Sequence, residues 1–168
     1  MTRQVVVTGM AGLSPIGLDW PMVFESLKAH RSAVQIMPDW KEIDGLRTHL
    51  AAPIEDFEVP KHYSRKSIRA MGRVSLLATR ATELALEDAG LLGTSHVTDG
   101  RMGVAYGSGT GSPTAHQVFF ENLHVHKRLK GISSTTYIKM MSHTCIAHLG
   151  NFFKVKGLRL STNFMQKK

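Results

Sequence analysis

The segment from Ser64 to Gly90 constrains this chain more than any other. Ile68, Met71, Val74, Ala78, Ala81 and Ala85 recur every three or four positions, which gathers them on one face of a helix. Ser64 can cap the start of that helix, and Gly90 can take the left-handed conformation that commonly ends one. Arg69, Arg73, Arg80 and Glu87 fall on the opposite face. The pattern predicts one long helix over 64–89, whose alanines let a neighbouring sheet or helix approach closely. Such a helix needs an apolar surface to cover.

Short apolar runs supply candidates for that surface. Gln4 to Thr8 is β-branched and bounded by Gly9, which reads as a buried strand. Arg101–Tyr106 reads as a second strand, running into Gly107-Ser108-Gly109-Thr110-Gly111-Ser112-Pro113. Helical patterns cover about Ala115–Leu129 and Tyr137–Phe152, the latter with Met141, Cys145 and Leu149 on one face. Nearer the start, Pro21 suits a first helical turn, with Val23, Leu27 and His30 on one face and an end near Arg31. Residues 32–63, broken by Pro38, Pro53 and Pro60, read as loops and short strands around Val34 and Leu50-Ala51-Ala52. Strands separated by helices predict an α/β fold, a sheet with parallel pairings flanked by helices.

Composition narrows the function. At 168 residues, 42% hydrophobic and 20% charged, the chain has the make-up of a globular domain with a sizeable core. No apolar run approaches the ~20 residues of a membrane-spanning helix, and the first residues lack the features of a signal peptide. A single cysteine, Cys145, rules out an internal disulfide and suits a reducing compartment, so the expected location is cytoplasmic. Net charge is +8, yet residues 1–120 carry 12 basic and 12 acidic side chains. The excess lies in 121–168, with 9 basic residues against Glu121 alone. With no Arg-rich block and no RNA-binding aromatic motif, nucleic acid is not an expected partner. Residues 156–168 read as a solvated tail.

Several constellations invite chemistry and fall short of it. The glycine loop follows a strand and precedes a helix, but Ser112 stands where a dinucleotide fingerprint needs its third glycine. No Gly-Lys-Ser or Gly-Lys-Thr follows, so a P-loop is absent as well. The loop instead suits a backbone that passes close to something, an acyl chain or another subunit. His124 and His126 have no third ligand at a recognisable spacing, and no metal is expected. His143 and His148 flank Cys145, a pairing that suggests a thiol nucleophile. Cys145 shares its helix face with Met141 and Leu149, however, and a buried structural cysteine is the better reading. No catalytic residue and no cofactor are assigned.

In their order, four segments carry a resemblance. They are Val5-Val6-Val7-Thr8-Gly9-Met10 with Leu13-Ser14-Pro15-Ile16-Gly17, then Ser64-Arg65-Lys66-Ser67-Ile68-Arg69-Ala70-Met71, then Gly103–Gly111, then Ile146-Ala147-His148-Leu149-Gly150 running on to Lys156-Gly157-Leu158-Arg159. Together they resemble the N-terminal part of the β-ketoacyl-acyl carrier protein synthases. The resemblance implies a thiolase-type fold of two α/β halves, of which residues 1–159 are an incomplete first half and 160–168 a divergent basic tail. It implies decarboxylative condensation of an acyl thioester with malonyl-carrier protein, in a chain that usually dimerises.

The same resemblance implies where this chain departs from the family. The nucleophilic cysteine falls just past Lys168, and the two catalytic histidines belong to the second half. His124, His126, His143 and His148 match no catalytic position. The expectation is a truncated synthase, inactive as it stands. The alternative is a non-catalytic partner of a full synthase, as chain-length factors are, and a small nucleotide-binding domain is a third reading. Arg65, Lys66 and Arg69 match the family's basic docking surface for acidic acyl carrier protein, or are solvated charges on a helix face. Thr110 matches a position that shapes the acyl pocket, or is a turn residue.

Overall fold

A computed structural model describes residues 4–162. They divide into two compact units, 11–58 and 4–10 with 59–162.

In the smaller unit, the Asp19 carboxylate accepts from the Met22 N–H at 2.8 Å and caps α1, Trp20–Lys28. Pro21 sits in its first turn as expected. The buried face differs from the expectation. Ser26 is the residue turned inward, with its hydroxyl donating to the Ile16 carbonyl at 2.8 Å. Leu27 is exposed, and His30 has left the helix at φ 51°, because the chain reverses directly after Lys28. β1, Gln35–Ile36, pairs antiparallel with β2, Leu50–Ala51. A 3₁₀ turn over Pro38–Glu42 lies between them.

In the larger unit, the expected long helix is two helices. Ser64 does cap, its hydroxyl accepting from Ser67 N–H at 3.2 Å, and α2 runs over Arg65–Ile68. The chain then breaks. Met71 N–H bonds back only to the Ile68 carbonyl, and Gly72 is extended at ψ 175°. α3 starts afresh at Arg73 and runs to Asp88, and Gly90 ends it at φ 66°. Its buried face also differs from the apolar stripe. Met71, Ser75, Ala78, Thr79 and Glu83 are buried, while Ile68, Val74, Ala81 and Ala85 are half-buried. Thr79 is tolerated there because its hydroxyl donates to the Ser75 carbonyl at 2.7 Å.

α4, Ser95–Thr98, contributes Val97 to the core and leads to β3, Val104–Gly107. Ser112 caps α5, Pro113–Phe120, which relaxes into a π-helical turn over Glu121–Val125 rather than continuing to Leu129. The next expected helix is again split, by extended backbone at Met141, into α6, Ser134–Met140, and α7, Thr144–Phe152. The Thr144 hydroxyl closes the break by donating to the carbonyls of Ile138 and Met141, at 2.8 and 2.7 Å. β4, Arg159–Thr162, then pairs parallel with β3 from Val104↔Arg159 to Gly107↔Thr162.

The parallel α/β expectation is therefore met. Helix α7 lies between α3 and the sheet, and Ala78, Val97, Cys145, Leu149, Phe153 and Val155 form the core around it. Two expectations are corrected. Leu160–Thr162 are not the start of a solvated tail, because β3 offers them a ladder of backbone partners; residues 163–168 lie outside the described residues. Gln4 to Thr8 is not a buried strand: Val5, Val6 and Val7 are 96%, 70% and 77% exposed. A β-branched run becomes a strand only beside a backbone to pair with, and among the described residues β3 and β4 pair with each other alone. Just beyond that run the chain is tied down, by Met10 N–H donating to the Asp88 carboxylate at 2.8 Å.

Candidate functional site

Helix α2 is a single turn and carries the basic cluster. Arg65 and Lys66 lie on it, and Arg69 follows as its C-cap. All three are exposed, and among the described residues none pairs with a carboxylate. Lys66 and Arg69, though not Arg65, line a groove of about 480 Å³, with Ala70 beside them and Ile138, His148, Asn151 and Phe152 completing its wall. The structure thus brings the expected basic residues together beside a concave, partly apolar surface.

One turn of helix is too short to hold its own position. A cluster of side chains fixes where α2 begins. Ahead of it, the Tyr63 hydroxyl donates to Glu83 Oε2 at 2.9 Å, and His62 Nε2 meets Glu83 Oε1 at 2.6 Å. Arg80 also pairs with the Glu83 carboxylate. Burial pushes the Glu83 carboxyl up, but hydrogen bonds from His62, Arg80 and Tyr63 outweigh it and hold the group below its ordinary range. Burial and the neighbouring carboxylate push the Tyr63 phenol far up. Behind α2, the His148 ring lines the same groove as Ala70. Its Nε2 is buried without a partner, and burial lowers the ring's affinity for a second proton.

Sequence reasoning did not find Glu83. The available signal was phase: Glu83 stands four residues after Thr79 and eight after Ser75, so all three share the inward face.

Thr110 is exposed in the loop after β3, its carbonyl accepting from Ser108 Oγ at 2.7 Å. With Ser75, Ser142 and Cys145 it lines a cavity of about 10 Å³, near the least that holds one water. No acyl chain fits there. The close approach that the glycine loop permits is to α6: a side chain at Gly111 would collide with the Met140 carbonyl.

Cys145 is 2% exposed, and burial pushes its thiol up against an opposing pull from Ser75 and Tyr106. A thiol in that state is a packing group, not a nucleophile. His143 is exposed at the N-cap of α7, and His124 stacks on Phe120 with ring centroids 5.8 Å apart. Among the described residues no group of three His, Cys, Asp or Glu side chains could hold a metal, and no helix is long and apolar enough to cross a membrane.

The family profile described as "Beta-ketoacyl synthase, N-terminal domain" matches residues 2–163. The chain belongs to the β-ketoacyl synthase family. It is 31% identical over 159 residues to 3-oxoacyl-acyl-carrier-protein synthase 1 of Haemophilus influenzae, covering 95% of this chain and 38% of that one. A crystal structure of a β-ketoacyl synthase from Burkholderia phymatum superposes with a TM-score of 0.86 at 43% identity, over 94% of this chain and 38% of that chain. A type II polyketide ketosynthase solved in complex with its acyl-carrier protein shares the fold at a TM-score of 0.69 and 19% identity, over 92% of this chain and 40% of that chain. The ketosynthase α/β fold is therefore shown, and the chain spans no more than two fifths of the length of each of these relatives.

Proposed function

We propose that this chain serves decarboxylative condensation, the joining of an acyl thioester to malonyl units on an acyl carrier protein, by presenting a docking surface for that carrier. Arg65, Lys66 and Arg69 are the docking residues. The observation that carries the reading is three exposed cations on one short helix and its C-cap, without a carboxylate partner among the described residues, two of which, Lys66 and Arg69, border a groove of about 480 Å³. An acidic carrier is drawn to such a cluster by long-range attraction and released when salt screens it. Thr110 borders the acyl chain once a neighbouring chain or domain completes the pocket. The protein works in the cytoplasm, in a homodimer or paired with a full synthase, and needs no cofactor.

The test is affinity for an acidic acyl carrier protein as a function of salt. Binding should be weak and fall as salt rises, and the triple variant R65E/K66E/R69E should abolish it. Salt-independent binding, or an unchanged triple variant, rules the surface out. A second reading is a non-catalytic partner of the chain-length-factor kind. Co-purification with a full-length synthase would support it.

A further inference from the structure

We propose that Glu83 is a positioning residue for carrier docking: from the buried face of α3 it holds the residues that lead into α2, and so sets where Arg65, Lys66 and Arg69 stand. The inference rests on the docking reading of α2.

A buried carboxylate is costly unless its oxygens are filled, and an apolar side chain would pack the same face more simply. Glu83 is 5% exposed. Its oxygens take Tyr63 Oη at 2.9 Å and His62 Nε2 at 2.6 Å, and Arg80, one turn earlier on α3, completes the set. Two of the three partners thus belong to the segment that enters α2, about twenty residues away in sequence. Tyr63 is also gripped by its ring, which meets Phe152 of α7 edge-on at 4.7 Å. Ser64, the next residue, is the α2 cap. The carboxylate therefore fixes the position and direction of a helix that cannot fix itself. Hydrophobic packing on Phe152 holds the Tyr63 ring in place, while the directional bonds to Glu83 set its angle.

Two variants separate positioning from general stability. Tyr63→Phe keeps the ring contact and loses one bond to Glu83. Glu83→Gln keeps the volume and loses the charge. Amide hydrogen exchange over the whole chain and affinity for an acidic acyl carrier protein are measured on both, with R65E/K66E/R69E alongside. The expected result is faster exchange at 65–69 with unchanged exchange at 145–152, and carrier affinity ~5-fold or more weaker, the low end of ordinary coupling between sites. Unchanged exchange at 65–69 overturns the positioning role. Faster exchange throughout, α7 included, also overturns it, because Glu83 is then a general stabiliser. If the chain binds the carrier and both variants bind as tightly, docking stands and positioning fails. If 65–69 loosens but the unaltered chain has no salt-sensitive affinity, the docking reading fails and takes the proposal with it.

Discussion

Cys145 and Leu149 lie one turn apart on the same face of α7, 2% and 1% exposed, in the core that also takes Ala78 from α3 and Val104 and Tyr106 from β3. The only thiol of the chain is thereby committed to packing. Leu149→Ala should cost about 2–5 kcal/mol, the range for deleting a buried leucine, read as a lower urea midpoint. A loss under about 1 kcal/mol would mean that the core closes over the gap.

The state of the thiol is directly measurable. Cys145 should react with a water-soluble disulfide reagent far more slowly in the native chain than in urea, because burial both shields it and disfavours the thiolate. Equal rates would show that α7 opens freely.

For the same reason the chain alone should not condense. Incubation with acyl- and malonyl-carrier protein should give no β-ketoacyl product, since covalent catalysis needs an activated nucleophile. Product that disappears in Cys145→Ala would reverse the reading of this residue.

Acid should reveal the Glu83 cluster. Its carboxyl, ordinarily near 4.5, is held lower in the folded chain. A group with a lower folded than unfolded pKa contributes stability above the unfolded value and loses it as pH falls through the folded one. Urea midpoints should therefore drop as pH falls below about 4.5. Glu83→Gln should be less stable at neutral pH, by about 1–3 kcal/mol, and should show a shallower acid drop. Parallel curves for the two proteins would assign that drop to other carboxylates.

Two glycines should resist substitution for different reasons. Gly90→Ala places a side chain at φ 66° and should cost about 1–2 kcal/mol. Gly111→Ala drives a methyl into the Met140 carbonyl and should cost about 1–3 kcal/mol as the loop after β3 and α6 move apart. A Gly111→Ala variant as stable as the parent would show that this loop yields without cost.

Local chemistry was legible in the sequence. The Ser64 cap, the Gly90 stop, the strand before the glycine loop and the parallel α/β order all depend on neighbours in the chain, and each is present. The basic cluster on α2 was legible for the same reason, as three charges within one turn of helix. Breaks at Gly72 and Met141 were not, because apolar periodicity runs unbroken across them while the backbone leaves the helix to follow tertiary contacts. Nor was the fate of Val5–Val7 and of Leu160–Thr162. Val5–Val7 is exposed and Leu160–Thr162 is paired, since a strand exists only where another backbone supplies its hydrogen bonds. Glu83 marks the same divide. Composition reads a glutamate on a helix as solvated, and only the fold brings His62, Tyr63 and Arg80 close enough to make burying it possible.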